Sequence, residues 1–112
     1  MYYLRMAQPT LRTIDPTTTV LELTGRLNVG TPLKTVETAI FEVIRSGAKT
    51  LILDCSELEY IDSASLGMLI GCAKDATAVG AQLRLAAPNG MVSRTLALTQ
   101  MEKVIPIDPI AP

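Results

Sequence analysis

The chain has 112 residues, 48% of them hydrophobic and 19% charged, with a formal net charge of −1. That balance describes one packed domain. With no basic run and 4% aromatic residues, it lacks both the charge for a phosphate backbone and a stacking surface for bases, so no nucleic-acid partner is expected.

There is no histidine, which removes Ser-His and Cys-His nucleophile pairs and most transition-metal sites. Cys55 and Cys72 have sixteen residues between them and no second pair, which is neither a zinc nor a redox motif. They are expected to be small buried hydrophobes in a reducing compartment, with no metal and no cofactor bound. No apolar run reaches spanning length, and the opening MYYLRMAQ lacks the organisation of a signal peptide. The expectation is a cytosolic chain that does not insert into a membrane.

In chain order, residues 7 to 14 offer a weak first strand, closed by the Asp15-Pro16 turn signal. Thr18–Leu23 alternates as a second strand, and Thr24-Gly25 should end it. Thr31-Pro32 predicts a helix with threonine as cap and proline at the first helical position. Leu33, Val36, Ile40 and Val43 supply its apolar face, and Gly47 stops it. Thr50–Leu53 reads as a short buried strand, followed by an acidic loop carrying Glu57 and Glu59. Ser63–Val79 predicts a second helix ended by Gly80, apolar nearly all round in its first half and therefore deep. Gln82–Ala86 is a strand, Asn89 caps a third helix with Val92 and Leu96 inward, and Val104–Ile107 is a last strand. The tail PIDPIAP continues no regular element. The order β-β-α-β-α-β-α-β predicts an α/β fold: a mainly parallel sheet of four or five strands flanked by three helices, with an antiparallel edge. The chain reads as a single domain, 1–112, with a core over about 7–107 and a tail from 108.

The segment Leu51–Ile70, LILDCSELEYIDSASLGMLI, carries the most information. It places the Ser63 hydroxyl at the mouth of a helix, where N–H groups and the helix dipole favour added negative charge. Nothing nearby activates that hydroxyl as a nucleophile. Lys34, Lys49, Lys74 and Lys103 stand at no spacing that makes one a general base, so no enzyme is expected. A serine so placed suggests a residue that another protein modifies, although a simple helix cap would explain it as well. Asp62 is either a loop residue bonding its own backbone or a recognition charge. Ser65 reads as a first-turn helix residue, Met68 as core filler, and Gly67 and Gly71 as allowing close packing against the sheet.

On this element order, three segments resemble the STAS domain family, and within it the small bacterial anti-sigma-factor antagonists. Leu23-Thr24-Gly25-Arg26-Leu27-Asn28 is similar to the family's turn after the second strand. Leu53-Asp54, then Leu58, Tyr60, Ile61, Asp62, Ser63, Ala64, Leu66 and Gly67, resembles its Asp-Ser-(Ser/Thr/Ala)-Gly-Leu-Gly signature and lead-in. Val92-Ser93-Arg94-Thr95-Leu96 with Val104-Ile105 fits its last helix and strand. Ser65 stands where the family has glycine, Asn28 where it usually has aspartate, and Gln100 where it commonly has glycine. The resemblance implies a STAS-type fold that binds an anti-sigma factor which is also a serine kinase. It further implies phosphorylation of Ser63, and a serine phosphatase that restores the binding form. Arg26, Asn28, Thr31, Asp62, Ser65 and Leu66 would then form the partner surface. The alternative within the same fold is a docking subunit of an ABC-type lipid transporter or a signalling scaffold, with no phosphorylation cycle.

Overall fold

The computed structural model describes residues 9–112, apart from the side chains of Thr31 and Pro32. Its elements follow the predicted order: β1 (Thr10–Asp15), β2 (Thr18–Leu27), α1 (Thr31–Arg45), β3 (Thr50–Ile61), α2 (Ser63–Ala78), β4 (Gln82–Ala86), α3 (Gly90–Leu98), a 3₁₀ turn (Met101–Lys103) and β5 (Ile107–Asp108). The five strands lie side by side in chain order. Only β1 and β2 are antiparallel; the other three pairings are parallel. The first predicted strand included residues 7 and 8, which lie outside the described residues. The β1–β2 turn closes where Asp15-Pro16 predicted it, with Asp15 Oδ1 accepting the Thr17 and Thr18 N–H groups.

Alternation along the strands divides the core. Leu21, Leu23 and Leu27 of β2, Leu51, Leu53, Leu58 and Ile61 of β3, and Leu83 and Leu85 of β4 pack in one cluster with Val36, Ile40 and Val43 of α1, Leu69 and Cys72 of α2, and Val92 and Leu96 of α3. Val20, Ile52 and Ala86 point to the other face, where Ala111 of the tail packs on them. Cys55 and Cys72 are buried, unpaired thiols. Both are pushed up to about 12, first by burial and then by nearby carboxylates, Asp54 for Cys55 and Glu37 with Asp75 for Cys72. Neither is a thiolate at neutral pH. Among the described residues no helix is long and apolar enough to cross a membrane.

Two strands run longer than the sequence predicts, and this is what builds the site. β2 does not stop at Thr24-Gly25. Gly25, at φ 79, carries the chain through a register irregularity and on to Leu27. The predicted acidic loop is instead the second half of β3, paired with β2 from Thr24↔Glu57 to Leu27↔Ile61. Glu57 and Glu59 point to solvent while Leu58 and Ile61 are buried, so the acidic residues mark the wet face of a strand rather than a loop.

The helix starts differ too. α1 begins at Thr31 with Gly30, φ 108, in the N-cap position, so Thr31 is not the cap. Asn89 holds the N-cap position of α3, as expected, and its carbonyl accepts the Ser93 N–H, but its side chain makes no cap bond; the amide donates instead to Ser56 O at 2.6 Å, tying the helix to β3. The last strand is shifted to Ile107–Asp108. The N–H groups of Val104 and Ile105 both turn back to Met101 O, and Pro106 has none to donate. Asp108 is held there by Arg84 through two bonds of 2.7 and 2.8 Å.

Gln100, where the family commonly has glycine, sits at φ 56, ψ 38, in the left-handed region that disfavours a side chain. Gln100→Gly is expected to raise stability by up to about 1 kcal/mol. A urea midpoint at or below the wild-type value would contradict this.

Candidate functional site

The site is built where β2 and β3 end together. Parallel neighbours leave the sheet at the same end, so the loop after Leu27 and the step from Ile61 into α2 gather there. Asp62 joins them. Its backbone is extended (φ −107, ψ 176) and its side chain caps α2 by accepting the Ser65 N–H at Oδ1, 2.8 Å. The Ser65 hydroxyl lies 2.7 Å from the same oxygen and 3.0 Å from Leu27 O, donating to one or the other. The second carboxylate oxygen accepts the Val29 N–H at 2.9 Å, across thirty-three positions of sequence. The Asp62 N–H donates to Leu27 O at 3.3 Å. One side chain therefore caps a helix and fastens the β2–α1 turn to it.

This saturation fixes the charge of Asp62. Burial pushes its carboxyl up, but hydrogen bonds from the Ser65 hydroxyl, the Ser65 N–H and the Val29 N–H outweigh that, and the net shift is downward. Of the two roles open for Asp62 in the sequence, the geometry supports the structural one. Both its oxygens accept from donors of the chain itself.

Ser63 is the first residue of α2 and is exposed. The capping duty falls on its neighbour, so Ser63 is not the cap. Asn28 lies between Leu27 and Val29, both bonded to Asp62, which brings Asn28 and Ser63 to one end of the sheet. Asn28 itself accepts the Leu33 N–H at its backbone oxygen, 3.2 Å, and so helps start α1.

The remaining expected surface residues divide. Ser65 is 0% exposed and Leu66 is buried, so neither expected partner residue presents its side chain at the surface; Ser65 holds Leu27 and Asp62 together, and Leu66 joins the core. Arg26 is exposed, with its guanidinium 4.1 Å from the Tyr60 ring centroid. Because Leu27 and Ile61 point into the core, Arg26 and Tyr60 lie on the opposite face of the sheet, away from α2. Thr31 opens α1 beside Asn28, and its side chain lies outside the described residues.

Two features were not legible in the sequence. Gly67 and Gly71 do not pack on the sheet. Both are exposed, with open space where a Cβ would stand. With Ser63 and Ala64, also exposed, they make the outer face of α2 one of small residues over its first half, before the exposed Lys74 and Asp75, while Ser65, Leu66, Met68, Leu69, Cys72 and Ala76 face inward. The second is Val29, a large apolar side chain left 69% exposed beside Asp62. An isolated valine between Asn28 and Gly30, in a turn with no hydrophobic periodicity, was the available signal.

This arrangement defines a small α/β module presenting a helix start and a fastened turn on one end of its sheet. The family model for the STAS domain matches residues 8–111, and the chain belongs to that family. It is 33% identical over 66 residues to a Thermotoga neapolitana protein whose name places it among anti-sigma factor antagonists; the match takes in 59% of this chain and 58% of that protein. The chain thus spans a little under three-fifths of that curated relative. The crystal structure of a Thermotoga maritima protein described in the same terms superposes with a TM-score of 0.78 at 26% identity, over 89% of this chain and 85% of that one. The antagonist SpoIIAA shares the fold at 20% identity in its unphosphorylated form, with a TM-score of 0.75 over 89% of this chain and 87% of that one. The Bacillus SpoIIAA in its phosphorylated form does so at 19%, with a TM-score of 0.68 over 89% and 90%.

Proposed function

We propose that the chain is an anti-sigma-factor antagonist. It is a binding module that docks on an anti-sigma factor which is also a serine kinase, and phosphorylation of Ser63 turns docking off. A serine phosphatase returns it to the binding form, and the cycle runs in the cytosol. The observation that carries this reading is the division of labour between Asp62 and Ser63. Asp62 caps α2, so the exposed Ser63 hydroxyl can be modified without breaking the cap. A phosphate there would add roughly −1.5 to −2 charges at a helix start, where the dipole tolerates them. The fold would stay as it is while the surface gains negative charge.

The bare outer face of the first half of α2 supports the same reading. Ser63, Ala64, Gly67 and Gly71 let a partner backbone or ring approach closely, and a phosphate at Ser63 would stand in its way. Among the described residues, the carboxylate nearest Ser63, that of Asp62, accepts from Ser65 and Val29 instead of the Ser63 hydroxyl, which favours a switched docking module over an enzyme. Incubating the chain with ATP and each kinase-type anti-sigma factor of its host, followed by intact mass, tests the proposal. One added phosphate is expected on the wild type and none on Ser63→Ala. Phosphate on neither protein, or equally on both, removes Ser63 as the acceptor.

A further inference from the structure

Val29 exposes its side chain at no benefit to the fold, and yet its backbone is anchored. Its N–H is fixed by Asp62 Oδ2 at 2.9 Å, and the next residue, Gly30, turns the chain at φ 108, a conformation other residues rarely adopt. Val29 lines a shallow depression together with Gly30, Leu33, Lys34 and Thr35. Leu33 is half-buried there, and Lys34 is exposed. An exposed apolar side chain on an anchored backbone, beside a depression with a cationic rim, is how a docking anchor is arranged.

We infer that Val29 and this depression form the apolar anchor of the docking surface. They receive a partner segment that presents an aliphatic or aromatic side chain with a carboxylate beside it. This rests on the docking function proposed above and names the chemistry of the partner at that site. Continuity is the first argument. Asp62 bonds the amide of Val29 and directly precedes Ser63, so anchor and acceptor share one end of the sheet. Charge is the second. The Asp62 carboxylate is engaged by internal donors, which leaves the Lys34 ammonium as the charge lining the depression, complementary to an acidic group.

The test uses the full chain and the host's kinase-type anti-sigma factor that binds the wild type most tightly, measured by calorimetry. Val29→Ser is expected to weaken binding roughly tenfold by removing one buried aliphatic contact. Val29→Ile should keep wild-type affinity. Lys34→Glu should weaken binding, and by a larger factor as salt is lowered. Urea midpoints should stay at the wild-type value for all three, because both side chains are exposed. In the phosphorylation assay Val29→Ser should raise KM and leave kcat unchanged. Wild-type affinity in Val29→Ser would overturn the anchor and leave the docking function standing. A wild-type chain that binds none of the kinases would overturn both.

Discussion

Ser63→Asp is expected to weaken binding to the kinase-type anti-sigma factor by about ten- to a hundredfold, on the order of 1–3 kcal/mol, while Ser63→Ala changes it less than about threefold. The difference follows from which residue caps α2. Had Ser63 been the cap, alanine would have cost the helix about 1 kcal/mol and blurred the comparison. With Asp62 in that role, alanine removes only an exposed hydroxyl. Aspartate instead puts a charge on a surface that the partner must desolvate, beside the carboxylate of Asp62. The fold itself should hardly respond, because the helix dipole favours an anion at this position while Asp62 disfavours it. Both urea midpoints should therefore stay near the wild type. Calorimetry on the three proteins decides the matter. Equal affinities for aspartate and alanine would leave a constitutive docking module without a switch at Ser63.

Asp62→Ala should destabilise the fold by roughly 1–2 kcal/mol at neutral pH, from the lost cap and the freed turn. Asp62→Asn should cost less, since asparagine caps nearly as well. The effect must depend on pH, and its sign is fixed. The carboxyl of Asp62 is held below its ordinary value in the folded chain, so its contribution is fully present above about pH 4 and is lost as pH falls through the folded value. The gap between wild type and Asp62→Ala in urea unfolding should therefore hold steady from neutral pH down to about pH 4 and narrow as pH falls below that. Asp15 and Asp108 are also held low, Asp15 chiefly by the Thr17 N–H and Asp108 by the Arg84 side chain. The variant will for that reason keep part of the acid limb. A gap that stays constant below about pH 4 as well would show that the cap and the turn bond do not depend on the charge of Asp62.

Periodicity and punctuation in the sequence were enough to determine the element order, the two interior helix faces and the parallel sheet. Leu33, Val36, Ile40 and Val43 recur at helical spacing, and Gln82–Ala86 lies between Gly80 and the Pro88-Asn89 turn. These signals are local, because each reports how a few neighbouring side chains share water and core. The motif Asp62-Ser63 was legible as a helix entrance for the same reason. Which of its two residues caps the helix was not. That choice depends on Val29, thirty-three positions away, whose N–H claims the second oxygen of Asp62 and holds the carboxylate across the helix start. The length of β3 was hidden likewise: Glu57 and Glu59 look like a loop until β2, passing through Gly25, supplies a partner strand that leaves them on the wet face. Gly67 and Gly71 looked like packing residues because nothing in a helix's own sequence says which side the sheet will take. Burial of Ser65 and exposure of Val29 are settled by the same meeting of two strand ends, which only the tertiary structure brings about.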